Sequence, residues 1–262
     1  MVTSCGPMRP DVSQDAVLGG RLILRQPRKG HRVGHDAILL AAATTARPGE
    51  HAVDLGAGVG AAGLALAQRV GGLHVVLVEL DASLVGLAGE NAAANGLADR
   101  VRALALDVAA PPRAFAAARL LPESVDRVLM NPPFNDPERQ QGSPDARRRV
   151  AHAASPATLA LWVQAANRLL RPGGTLTLIF RADGLRDVLA ALGRGLGGIA
   201  VLPVHPEPAK AAIRILVRAT KGSRAPLSLE PGLVLADDHG QPTPAAEAIL
   251  RDGTALWREE RN

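Results

Sequence analysis

Two short stretches carry the residue types from which chemistry could be built. The first is Asn131-Pro132-Pro133-Phe134, directly after the apolar run ending at Met130. An exocyclic amine on a planar ring, or an amide nitrogen, delocalises its lone pair and is a poor nucleophile. The side-chain carbonyl of Asn131 and the backbone carbonyl of Pro132 can each accept one of its N–H bonds. That favours a pyramidal nitrogen and sets acceptors where positive charge develops during alkylation. Two consecutive prolines stiffen the segment, so the acceptors are fixed in advance. The Phe134 ring can stack on a planar substrate. No strong general base is needed, because the proton becomes acidic once the nitrogen is alkylated.

The second stretch is Asp54-Leu55-Gly56-Ala57-Gly58-Val59-Gly60, between an apolar run and an alanine-rich segment. Glycines there let the backbone turn sharply and allow a ligand to approach within contact distance. Gly58-Val59-Gly60-Ala61-Ala62-Gly63 also satisfies the dinucleotide fingerprint, with Glu79 at a suitable distance for a ribose hydroxyl. Two features favour another ligand. Asp54 opens the turn, where a phosphate would be repelled but a cationic sulfonium or amino group would not. Hydride transfer also has no use for the Asn-Pro-Pro-Phe segment. His31, His35 and His152 lack metal-ligand spacing, and the single Cys5 excludes a multi-cysteine zinc site, so no metal is expected.

These stretches need a scaffold, and the pattern around them supplies one. Strands are expected at 51–54, 74–79, 101–106, 124–130, 175–180, 200–204 and 213–219. Helices are expected at about 60–70, 82–94, from 111, at 155–170 and from 183. Such alternation is the signature of a mostly parallel sheet with helices on both faces, here seven-stranded. Upstream, residues 1–20 read as frayed and 21–24 as a short strand. A basic loop runs from Gln26 to His35, and Asp36 caps a helix over 37–46. Residues 171–174 read as a turn and 135–154 as a polar loop. The stretch from residue 221 reads as a short C-terminal appendage with a helix over 243–251.

Bulk composition bounds the partners. The 262 residues are 47% hydrophobic and 21% charged, as in ordinary globular chains. With no Tyr, three Phe and two Trp, the core must be aliphatic. The net charge is +5, with 27 Arg against three Lys. That balance suits a polyanion such as RNA, or a genome biased toward Arg and Ala codons. Basic residues flank the reacting segment in Arg28, Lys29 and Arg32 on one side and Arg139, Arg147, Arg148 and Arg149 on the other. No leader or membrane-spanning run is evident, so a cytoplasmic protein without membrane contact is expected.

The acidic residue and glycine turn resemble those of class I S-adenosylmethionine-dependent methyltransferases, which have a Rossmann-like fold. The resemblance implies that Asp54, Gly56, Gly58 and Gly60 face the methionine part of the cofactor. Glu79 would then hold the ribose hydroxyls, with Asp81 as a substitute, and Asp107 the adenine amine. Asn131-Pro132-Pro133-Phe134 resembles the N-P-P-[YF] motif of amino-methylating enzymes, which act on adenine N6, guanine N2 or a protein glutamine. The segment from Arg32 to Leu40 is similar to V-G-x-D-x-x-L-L of bacterial tRNA adenine-N6 methyltransferases, where it helps close the cofactor pocket. Gly34 and Asp36 carry that match. The implied organisation is a cap (1–47), a cofactor-binding domain (48–220) and the appendage (221–262). The implied acceptor is an amino group of RNA, adenine N6 in a tRNA. Guanine N2 in rRNA, a protein glutamine, a small molecule and a non-catalytic RNA-binding role stay as alternatives, and the oligomeric state stays open.

Overall fold

The computed structural model describes residues 11–29, 32–133 and 156–257. It opens on a hairpin in which β1 (Val12–Val17) pairs antiparallel with β2 (Leu22–Pro27) around a 3-10 turn at Leu18–Gly20. Of the stretch expected to fray, residues 12–20 are therefore ordered. The physical reason is the alternation in β2, which buries Leu22 and Leu24 completely. α1 (His35–Ala43) starts two residues earlier and ends three residues earlier than expected, and is capped by Gly34, not Asp36. It ends where the Thr44 hydroxyl and N–H both turn back to the Leu40 carbonyl.

The alternating region follows its expected boundaries closely as far as Met130, whereas the strands expected at 175–180 and 200–204 begin five and four residues earlier. β3 (His51–Leu55), α2 (Ala61–Arg69), β4 (His74–Glu79), α3 (Ala82–Ala94), β5 (Val101–Ala105), α4 (Pro112–Ala117) and β6 (Val125–Met130) come first. α5 (Pro156–Leu169), β7 (Leu170–Arg181), α6 (Leu185–Leu192), β8 (Leu196–His205) and β9 (Arg214–Lys221) follow. Local signals explain the ends: Asp81 accepts from the Ser83 N–H to cap α3, and Gly96 takes φ +67 just past it. The stretch 171–174 is not a turn outside the sheet. It lies within β7, where the register against β6 slips between Val125 and Arg127.

The sheet has nine strands, in the order β5-β4-β3-β6-β7-β9-β8 and then the short β10 (Ser228–Leu229). The five from β5 to β7 are parallel, and β9 runs antiparallel between β7 and β8. Expected were seven; β10 and β11 (Leu233–Val234) are the additions, both pairing with β8. Period-2 alternation sends Ala52 to one core and Val53 to the other. The first core packs α1, α2 and the hairpin against one face, and the second packs α4, α5 and α6 against the other.

The C-terminal stretch is built into this body. α7 (Pro244–Leu250), capped by the Thr243 hydroxyl, buries Ala246 and Ile249. The Leu256 N–H bonds the Ala42 carbonyl in α1, and Trp257 is buried with the Arg218 guanidinium 4.8 Å above its ring. The Arg21 guanidinium donates to the Arg251 carbonyl and pairs with Asp252, joining the tail to the hairpin.

Candidate cofactor and acceptor site

The strand order reverses at β3, whose neighbours β4 and β6 lead away in opposite directions. Ligands bind at such a switch point, beyond the carboxyl ends of the strands. The pairing of Leu55 with Met130 sets the glycine turn and Asn131 side by side there, although the two are far apart in sequence.

The turn is held by the Val78 carbonyl, which accepts from the N–H groups of Gly56 and Ala57 at 2.8 and 2.9 Å. Gly56, Gly58 and Gly60 all have positive φ, at +72, +57 and +90. Their surroundings differ. A Cβ on Gly56 would lie 2.3 Å from the Trp162 ring, and one on Gly60 would lie 2.8 Å from Leu77. A Cβ on Gly58 would meet nothing. Gly58 is thus the open face of the turn, while its neighbours are packed from behind.

Glu79, at the end of β4, reaches across to this open face. One carboxylate oxygen accepts from the Gly58 N–H at 2.9 Å, and the other accepts from Leu80 and Asp81 at 2.7 and 3.0 Å. Asp107 lies just beyond β5, exposed, with one oxygen on the Ala109 N–H. Glu79 and Asp107 therefore stand at adjacent strand ends on the same edge as the turn. Asp81, the possible substitute, spends its carboxylate capping α3.

Asp54 does something different from facing a ligand. It is 2% exposed, and its carboxylate accepts from the Gly63 N–H at 2.9 Å in the first turn of α2. Burial pushes its carboxyl up to about 7, with Glu79 adding repulsion against the favourable Gly63 bond. The expected repulsion of a phosphate by Asp54 loses its basis, because this carboxyl points into the protein. Gly34 caps α1, and the Asp36 carboxylate pairs with Arg214 at the start of β9, at 3.0 Å.

Asn131 follows Met130 at the end of β6, and its Oδ1 is buried with no hydrogen-bond partner among the described residues. A buried carbonyl oxygen left unmatched is costly, and such a group calls for a reason. Pro132 is buried and Pro133 half-buried. Phe134, Arg139, Arg147, Arg148, Arg149, His31 and His152 lie outside the described residues.

The basic segment before α1 is largely neutralised. Arg32 donates to both oxygens of Asp15 at 2.9 Å, and Arg28 pairs with Asp11. Bonds from Gln26 and Ser13, with the Arg32 charge, hold the Asp15 carboxyl below the usual range. Gln26 also accepts from the Val33 N–H and so fixes the path into α1.

Two contributors escape a reading of the sequence. Trp162 backs Gly56, and its only sequence signal is that the chain has two Trp. Asn91 is fully buried and donates to the carbonyls of Arg25 and Val59 while accepting from the Arg25 N–H. It ties the hairpin to the glycine turn, with Asn95 one helical turn on making a matching pair of bonds to Ile23. Among the described residues no cluster of His, Cys, Asp or Glu could hold a metal, and no helix is long and apolar enough to cross a membrane.

Residues 31–202 match the methyltransferase small domain family. A tRNA1(Val) (adenine(37)-N6)-methyltransferase of Dickeya chrysanthemi is 28% identical over 227 residues, covering 84% of this chain and 87% of the relative. One from Tolumonas auensis is 31% identical over 166 residues, 63% of this chain and 65% of the relative. The crystal structure of an Agrobacterium tumefaciens protein described as a predicted O-methyltransferase superposes with a TM-score of 0.73 at 29% identity, covering 86% of this chain and all of that one. With the sheet order and glycine turn already in hand, the chain belongs to the methyltransferase small domain family and is an S-adenosylmethionine-dependent methyltransferase.

Proposed function

We propose that this enzyme methylates an exocyclic amine of RNA in the cytoplasm, the N6 of an adenine in a tRNA. The observation that carries the reading is the Asn131 carbonyl oxygen, buried at the carboxyl edge without a donor among the described residues. An amine entering there would supply the missing N–H, and the Pro132 carbonyl would take the second. The nitrogen lone pair is then turned away from the ring and toward the incoming carbon. The names of the relatives from Dickeya and Tolumonas support adenine in tRNA as the acceptor. Within this reading residues 1–47 form a cap, 48–220 the catalytic domain and 221–262 a brace.

The residues at the switch point fit the cofactor. Gly58 leaves room for close approach, and the Glu79 carboxylate, with three of its roughly four lone-pair sites on N–H donors, keeps one for a ribose hydroxyl. Asp107 would meet the adenine amine. Gly56 and Gly60 shape the turn, and Asp54 holds α2 beneath it. Gly34 and Asp36 would close the pocket from the α1 side. When bound, the cofactor supplies an electrophilic methyl group on a sulfonium. Phe134 would stack on the target base, which must leave its helix or loop stack to reach Asn131.

Incubation of the protein with isotopically labelled S-adenosylmethionine and unmodified tRNA or rRNA, followed by nucleoside mass spectrometry, tests this. Labelled N6-methyladenosine from tRNA is expected. Labelled N2-methylguanosine from rRNA, or label confined to protein glutamine, would replace the adenine reading.

A further inference from the structure

The amino edge of the sheet, opposite the edge carrying Asn131, holds a groove of about 440 Å³. It lies on the first residues of β3, β4 and β5, beside the end of α4, which is only six residues long. His51 and His74, directly paired across β3 and β4, stack at 5.3 Å with ring planes 17° apart. Arg102 on β5, Arg119 and Ser124 also line the groove, as does one acid, Asp99. Asp126 lies near but is engaged by the His51 N–H and by Arg171.

Two features set this groove apart from an ordinary solvated surface. First, two of its three arginines meet no acid among the described residues. Arg100 is spent on the carbonyls of Ala67, Val70 and Leu73, but Arg102 makes one long bond, 3.4 Å to the Ala118 carbonyl, and Arg119 pairs with no acid. Arg28 and Arg32, in the segment where RNA contacts were expected, already face Asp11 and Asp15. Second, Arg119 is strained. α4 ends in a Schellman arrangement, with Leu120 N–H on the Phe115 carbonyl and Arg119 N–H on the Ala116 carbonyl. The left-handed position of that motif is normally glycine, yet Arg119 occupies it with φ +60. Strained non-glycine residues of this kind concentrate where a side chain is needed.

We infer that this groove binds the phosphodiester backbone of the RNA substrate, with Arg102 and Arg119 on phosphates and the imidazole N–H groups of His51 and His74 as further donors. The inference rests on the RNA reading above. Strands of five or six residues separate the groove from Asn131 by roughly 16–20 Å, about five phosphate steps along one strand. A structured RNA with its target base at the carboxyl edge can reach both.

The test uses an unmodified, fluorescently labelled tRNA transcript and the full chain carrying Arg102→Ala with Arg119→Gly. Anisotropy across a salt series should show binding weakened about tenfold or more at moderate salt, with the log–log salt slope reduced by about two. KM for tRNA should rise with kcat nearly unchanged. S-adenosylhomocysteine binding should be unaffected, and Arg119→Gly alone should melt no lower than wild type, since glycine relaxes the strained position. Equal affinity and equal slope in a wild type and variant that both methylate tRNA would overturn the groove. A wild type that neither binds nor methylates any RNA would instead overturn the RNA reading, and the groove with it.

Discussion

At the residue scale, the carbonyl oxygen of Asn131 and the carboxyl of Asp54 are the two polar groups whose surroundings demand explanation. Asn131→Ala removes an acceptor that no described protein group uses. Transfer should fall about 10²–10³-fold, the range for one preorganised polar group, while cofactor affinity holds. Near-normal turnover at unchanged cofactor affinity would remove Asn131 from the reaction. Asp54 makes a different prediction. Its carboxyl is raised from 3.8 to about 7 in the folded protein. The native state therefore keeps a proton that the unfolded chain releases, so this contribution to stability is complete below pH 4 and is lost as pH rises through 7. The shift corresponds to ~4 kcal/mol across that window. Asp54→Asn keeps an acceptor for the Gly63 N–H without the charge, so urea denaturation should show a flatter fall of stability between pH 4 and 7. Coincident pH slopes would assign the titration to some other group.

At the element scale, three glycines of one turn do separate jobs. Each has positive φ, so any side chain costs about 1 kcal/mol or more in backbone strain. Beyond that shared cost, Gly56→Ala drives a methyl into Trp162, whereas Gly58→Ala touches no protein atom. Gly56→Ala should therefore lower the melting temperature far more than Gly58→Ala. Gly58→Ala should lose S-adenosylhomocysteine binding in calorimetry while remaining folded. If Gly58→Ala binds as wild type does, the open face of the turn is not where the ligand lies. The turn is also tied to the hairpin, because the Asn91 side-chain NH2 donates to the carbonyls of both Arg25 in β2 and Val59 in the turn. Cofactor loop and N-terminal hairpin are thereby one packed unit.

At the scale of the whole molecule, the tail decides whether the body is closed. It covers the edge of β8 with β10 and β11 and buries Leu233, Ile249 and Trp257 in the first core. Leu and Ile each contribute about 1.5–3 kcal/mol when fully buried. Cutting the chain before Arg224 should therefore cost several kcal/mol and expose a strand edge that promotes association. Urea denaturation and light scattering of the shortened protein measure both. A truncated chain that stays monomeric with unchanged stability would make the tail the mere appendage its composition suggests.

What could be read along the chain was local. Period-2 runs, the Gly56–Gly60 turn, the Gly96 stop and the prolines after Met130 all act within a few residues, so the order of strands and helices and the glycine turn were legible without coordinates, while the starts of α1, β7 and β8 were not. The partner of each strand was not, because alternation marks a buried face but does not say which strand lies beside it. Only the tertiary structure set β6 next to β3 and so brought Asn131 to the glycine turn. The same limit applies to side chains. Asp36 fits a helix cap by its sequence neighbours, yet it pairs with Arg214, 178 residues away. Asp15 and Asp11 neutralise arginines that look free in a linear reading, and the hairpin that brings them together forms only because Leu22 and Leu24 bury against the core. Asp54 turns inward because α2 presents the Gly63 N–H to it. Residue types thus determined which chemistry was available, and non-local packing decided which of those groups face a ligand.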